Sequence, residues 1–110
     1  MNKLVINLIE VSQEVNENSK IIIEGLEDIL FKSHDKYKVH GKNFIETITR
    51  DIKERNKVIE ELKAVQQANN SQRLFQLICK LRVLDDRDCM SYRLFFSMYT
   101  NSLLIGKFIE

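Results

Sequence analysis

Leu94-Phe95-Phe96-Ser97-Met98-Tyr99-Thr100-Asn101-Ser102-Leu103-Leu104-Ile105-Gly106 runs without a charge between Arg93 and Lys107. Its 13 residues fall in the range of a buried core helix and short of the ~20 needed to span a bilayer. On a wheel of about 100° per residue, Leu94, Phe95, Phe96, Met98, Tyr99, Leu103, Leu104, Ile105, Phe108 and Ile109 leave a gap of only about 80°, held by Thr100 and Lys107. A helix apolar nearly all round is either wrapped by its own domain or offers one side to a partner. Aromatic and Met side chains are favoured in interface cores, so Phe95, Phe96, Tyr99 and Leu103 are the candidate partner-binding residues. A self-association surface is the first possibility and a different protein the second.

Working back toward the N-terminus, Asp85-Asp86-Arg87-Asp88 interrupts the apolar pattern. Carboxylates there suit the first turn of a helix, where they face the positive end of its dipole. The spacing therefore predicts a fourth helix from about Asp88 to about Gly106. A third precedes it, with Ser71 as N-cap and Leu74, Phe75, Leu77, Ile78, Leu81 and Leu84 on its apolar face. A second runs from Asn43, a capping-box-like start with Glu46 three residues on, through Phe44, Ile45, Ile48, Ile52, Ile59, Leu62 and Val65. Between Ser33 and Asn43 the stripe vanishes and Gly41 can supply a positive φ, which predicts the main loop.

The first helix repeats at Met1, Leu4, Leu8, Val11 and Val15, and Ile22, Leu26, Ile29 and Leu30 resume the spacing beyond a polar stretch. Ile21-Ile22-Ile23 finds no second strand of comparable quality to pair with, so it reads as helix, with Gly25 a weak point. The expected fold is all-α, a bundle of about four helices, antiparallel where connections are short, forming one domain over residues 1–110.

Composition agrees with a small soluble protein. The 110 residues are 44% hydrophobic and 30% charged, with 17 basic against 16 acidic residues and no Pro or Trp. Folding would bury about two-thirds of the surface of the open chain, enough for one modest core. Ile (13), Lys (11) and Asn (9) dominate while Ala, Gly and Pro together number 5. AT-rich codons impose that bias, which suggests a low-GC bacterium, its phage or plasmid, or an AT-rich eukaryotic virus or parasite. Two cysteines, Cys79 and Cys89, do not make a disulfide framework and fit a reducing, cytoplasmic setting. They read as small buried hydrophobes.

Chemistry is sparsely marked. His34 and His40, near Asp35, match no zinc spacing. An EF-hand counted from Asp86 would place Ser91 and Ser97 where Gly and Glu are needed. Phosphate-cradling glycine motifs and a GxSxG elbow are absent. No enzyme activity, cofactor or metal is expected. All six arginines lie between positions 50 and 93, and an alternative reading is an RNA- or DNA-backbone-binding subunit using Arg50, Lys53, Arg55, Lys57, Arg73, Lys80 and Arg82. The preferred reading is stoichiometric binding to a protein, as an inhibitor, immunity factor, adaptor or assembly subunit and as a homo-oligomer. In it the last helix supplies affinity and the charged face from Arg50 to Lys63 orients the encounter.

Overall fold

The structure, a computed structural model, describes the backbone of residues 3–31, 35–68 and 70–99, and side chains within those ranges except at 29–31, 35–37, 98 and 99. Three helices account for nearly all of it: α1 (Lys3–Phe31), α2 (Asp35–Ala68) and α3 (Ser71–Tyr99). They form a rod of 55 × 19 × 19 Å. A 34-residue helix rises about 50 Å, so α2 runs the length of the rod. α1 and α3 each pack along it, and their own backbones scarcely approach one another.

Buried positions follow one rule in all three helices. On α1 they are Val5, Ile9, Ser12, Asn16, Ser19, Ile23 and Leu26, separated alternately by four and three residues. Phe44, Ile48, Asp51, Arg55, Val58 and Leu62 follow the same rhythm on α2, as do Leu77, Leu81, Leu84, Asp88 and Phe95 on α3 with one turn skipped. This is the 3.5-residue repeat of coiled-coil packing, which keeps one seam of a long helix against its neighbour.

The interior has three tiers. One apolar cluster holds Val5, Ile9, Val58, Ile59, Leu62, Leu77, Leu81 and Leu84, with Leu8, Val65 and Leu74 partly buried against it. The other holds Ile23, Leu26, Phe44, Ile48, Ile52 and Phe95. There Phe44 stacks on Phe95 at 4.5 Å between ring centroids and meets Tyr92 edge-on at 5.2 Å. Between the two clusters, the middle of the rod buries Ser12, Asn16, Ser19, Asp51, Arg55 and Asp88.

Four sequence expectations need correction. The described residues form three helices, not four, because α3 runs unbroken through Asp85-Asp86-Arg87-Asp88. Asp85 and Asp88 lie one turn apart, and both accept from Arg55 of α2, so these carboxylates are neutralised within a helix instead of starting one. The expected loop from Ser33 to Asn43 is helical from Asp35 onward, with Gly41 buried and the Asn43 carbonyl accepting from the Thr47 hydroxyl at 3.0 Å. A segment with no proline keeps every backbone donor for the helix, so lack of an apolar stripe does not stop it.

The cap of α3 sits one residue earlier than expected. Asn70, not Ser71, takes the Arg73 backbone N–H on its side-chain oxygen at 3.1 Å. The apolar stripe of α1 is also turned by one residue. Val5 and Ile9 go inward, while Leu4 and Val11 face solvent. The reason is in the middle of the rod: the inward series must continue through Ser12, Asn16 and Ser19, whose small or amide side chains suit a polar tier. Ile23 is buried and Ile21 exposed, as a helix requires, and Gly25 has open space around it. The extension to Gly106 lies outside the described residues.

Candidate functional site

The polar tier is the most elaborate side-chain constellation in the molecule, and Arg55 is its hub. Its side chain is 0% exposed. The guanidinium Nη1 donates to Asn16 Oδ1 at 3.0 Å, and Nη2 donates to Asp88 Oδ2 at 2.7 Å and Asp85 Oδ1 at 2.9 Å. Asn16 donates in turn to Asn56 Oδ1 at 2.9 Å and more weakly to the Ile52 carbonyl at 3.4 Å. One arginine therefore ties all three helices together. On the α3 side, Arg87 donates to Asp51 and, at 3.2 Å, to Glu54. Tyr92 donates to the Ser19 hydroxyl at 3.1 Å and links α3 to α1 directly.

Ionisation in this tier follows from burial and partners. Burial pushes the Asp88 carboxyl up to about 6, reinforced by its hydrogen bond with Asp51 and opposed by Arg55. Asp51 is also pushed up by burial, but its hydrogen bonds with Asp88 and Arg87 outweigh that and hold it below the usual carboxylate range. Asp51 Oδ2 and Asp88 Oδ1 are buried without any donor. Two ionised carboxylates can only accept, so both atoms lack a donor at neutral pH, and below about pH 6 a proton on Asp88 supplies one. Asn16, Asp51, Arg55 and Asp88 form the buried centre of the tier, while Asp85, Arg87 and Glu54 lie at its solvent-exposed rim.

The expected partner-binding residues divide. Phe95 is 6% exposed, packed on Phe44 in the core, so it is a core residue and not part of an outer face. Phe96 is 44% exposed and stacks on Tyr92 at 6.1 Å. The Tyr99 side chain and Leu103 lie outside the described residues. Exposed large apolar side chains instead spread over the surface, at Leu4, Val11, Ile21 and Ile22 on α1 and Phe75, Val83, Met90 and Leu94 beside Phe96 on α3. The spacing places Leu4 and Val11 on the inward stripe of α1 and Phe75 on that of α3, yet all three are exposed.

The basic residues also scatter. Arg55 is enclosed and offers no charge to a phosphate, and Arg73, 36% exposed, is paired with Glu61. Lys57 and Lys80 line an open groove of about 540 Å³ between α2 and α3, where Glu54 and Glu61 sit beside them. Arg50 lies 3.8 Å from Asp51, and Lys53 and Arg82 are exposed.

Both cysteines are free and exposed, contrary to the expectation of burial. His40 lies exposed within α2, and His34 is outside the described residues. Among the described residues, no three His, Cys, Asp or Glu side chains are arranged to hold a metal ion, and no helix is long and apolar enough to cross a membrane. Comparison with protein-family models, with curated proteins and with solved structures returns no match for this chain.

Proposed function

We propose that the chain is a non-catalytic protein-interaction module that acts by stoichiometric binding, as an inhibitor, immunity factor, adaptor or assembly subunit. One observation carries this reading. Val11 and Ile22 on α1, and Phe75 and Phe96 on α3, remain exposed after the bundle has closed. Large apolar side chains left exposed along the helix edges are what an interaction surface in a protein offers a partner. A coiled-coil rod that presents long helix faces suits occlusion or scaffolding better than chemistry, which needs an enclosed pocket with convergent polar groups. The proposed binding surface runs along the edges of α1 and α3 and includes Phe96.

The nucleic-acid reading loses support from the enclosure of Arg55 and the pairing of Arg73. Free, exposed thiols suit a reducing compartment and favour a cytoplasmic setting. The test is affinity capture from source cells with the wild-type chain and a Val11→Glu/Phe75→Glu variant whose helicity is checked by circular dichroism. Co-purification that the variant abolishes is the expected result. Capture that survives the variant, or steep weakening of nucleic-acid binding between ~50 and ~200 mM salt, overturns the reading.

A further inference from the structure

Around the axis of α1, the residues one step from the buried series are Leu8, Val15 and Ile22, followed outward by Val11. On α3 they are Ile78, Asp85 and Tyr92, followed by Phe75, Arg82, Cys89 and Phe96. Helix geometry assigns both sets to the same side of the rod. Asn56 and the Ile52 carbonyl contact α1, while Asp51, Glu54 and Glu61 contact α3, which fixes the flank of α2 taken by each neighbour. The flanks left over on α1 and α3 then face each other across the gap between their backbones, bridged by Tyr92 and Ser19. The outer positions keep the spacing of the core, 8, 11, 15 and 22 on α1 and 75, 78, 82, 89 and 96 on α3, so a second layer of helices can pack on them by the same rule.

We infer that the occupant of this face is a second copy of the chain, related by a two-fold axis parallel to the rod, so that α1 of each copy lies along α3 of the other. This rests on the interaction-module reading above and names its partner. Charge selects the arrangement. α1 carries six acidic and two basic residues, α3 three acidic and five basic. A two-fold parallel to the rod sets the acidic helix on the basic one, whereas a two-fold across it sets α1 on α1, acid against acid, which costs affinity.

The register agrees. Asn16 and Asp85 meet at Arg55 and so share a height along the rod. Glu14 and Arg82 lie two and three residues from them toward the same end, since α1 and α3 run parallel. Both are exposed, and among the described residues neither has an ion-pair partner within the protomer. In the dimer Glu14 of one copy faces Arg82 of the other, and the Arg82 stem lies over Val11. Area is sufficient. Val11, Val15, Ile22, Phe75, Ile78 and Phe96 together offer on the order of 500 Å² per copy, or about 1,000 Å² in all, the lower bound of a specific interface.

Sedimentation equilibrium of the full chain from about 1 to about 500 μM tests this. The expected results are a dimer for the wild type, a folded monomer for Val11→Glu/Phe75→Glu, about tenfold weaker association for Glu14→Arg, and recovery in Glu14→Arg/Arg82→Glu. A wild type that stays monomeric over the whole range, or a charge-swapped variant as weak as Glu14→Arg alone, overturns the inference. A monomer that still captures a different protein through Val11 and Phe75 sinks the dimer and leaves the interaction-module reading intact. A monomer whose capture survives Val11→Glu/Phe75→Glu sinks both.

Discussion

Arg55 Nη2 lies 2.7 Å from Asp88 Oδ2 midway along the rod, with one side chain fully enclosed and the other 7% exposed. The pair joins α2 to α3 between two apolar clusters. Taking both charges out of water costs several kcal/mol per ion, which their attraction repays only with good geometry and further hydrogen bonds. Asn16 and Asp85 supply those bonds. What the tier adds is register. Sliding α3 by seven residues would keep its apolar seam in contact with α2 but would bring Leu81 or Phe95 to the height of Arg55 and leave a buried charge unpaired. A wholly apolar seam would tolerate that slide far better.

Removing one partner of the pair is therefore costly, and removing both is not. Arg55→Met is expected to lower stability by about 3–5 kcal/mol because Asp88 is left enclosed without its cation. Arg55→Met/Asp88→Leu is expected to recover most of that loss. Urea unfolding of Arg55→Met, Asp88→Leu and the double variant at neutral pH measures the coupling. A double variant no more stable than Arg55→Met would show that the surrounding hydrogen bonds, not the pair, carry the effect.

Asp88 gives stability a pH dependence of unusual sign. Its carboxyl is raised from 3.8 to about 6 on folding, so the native chain holds a proton that the unfolded chain has released. This contribution is fully present below about pH 4 and is lost as pH rises through 6, by about 2–3 kcal/mol. Asp51, held below its ordinary value, acts in the opposite direction, but only at pH values lower still. Asp88→Asn keeps an acceptor for Arg55 and a donor for Asp51 without titrating. Relative to wild type it should gain about 2–3 kcal/mol between pH 4 and pH 7, read from urea midpoints at each pH. A constant difference across that range would place the proton elsewhere.

Phe95 and Phe96 are adjacent and chemically identical, yet their environments differ. Phe95→Ala removes a ring stacked on Phe44 in the core and is expected to cost about 3–5 kcal/mol. Phe96→Ala removes a ring that is half-exposed, and its cost to the protomer should stay under about 1 kcal/mol. Thermal unfolding at low protein concentration separates the two. Equal losses would mean that Phe96 is covered in solution.

Much of the architecture is legible in the chain. Leu77, Leu81 and Leu84, or Ile48, Ile52, Ile59 and Leu62, announce amphipathic helices by spacing alone. The candidate site is barely legible. Ser12, Asn16 and Ser19 look like an outer face because they are polar, and no local rule assigns three such residues to an interior. Asn16 is buried against Arg55, some forty positions away, and Ser19 against Tyr92; Arg55 itself reads as surface until Asp85 and Asp88 are found across from it.

The sequence by itself determined that the described chain is helical and that it has too few glycines and no proline to break its helices often. It also determined that apolar residues recur at the spacing that builds long packed seams. These are local properties, set by side-chain entropy, backbone donors and the pitch of the helix. Only the tertiary structure decided which of two neighbouring stripes on α1 turns inward, that Asp85 to Asp88 continue a helix, and that Phe95 is enclosed while Phe96 is not. Those outcomes depend on charges and rings brought from distant positions to one height along the rod. The free energy of a buried ion or ring is set by what stands opposite it, which no short window of sequence contains.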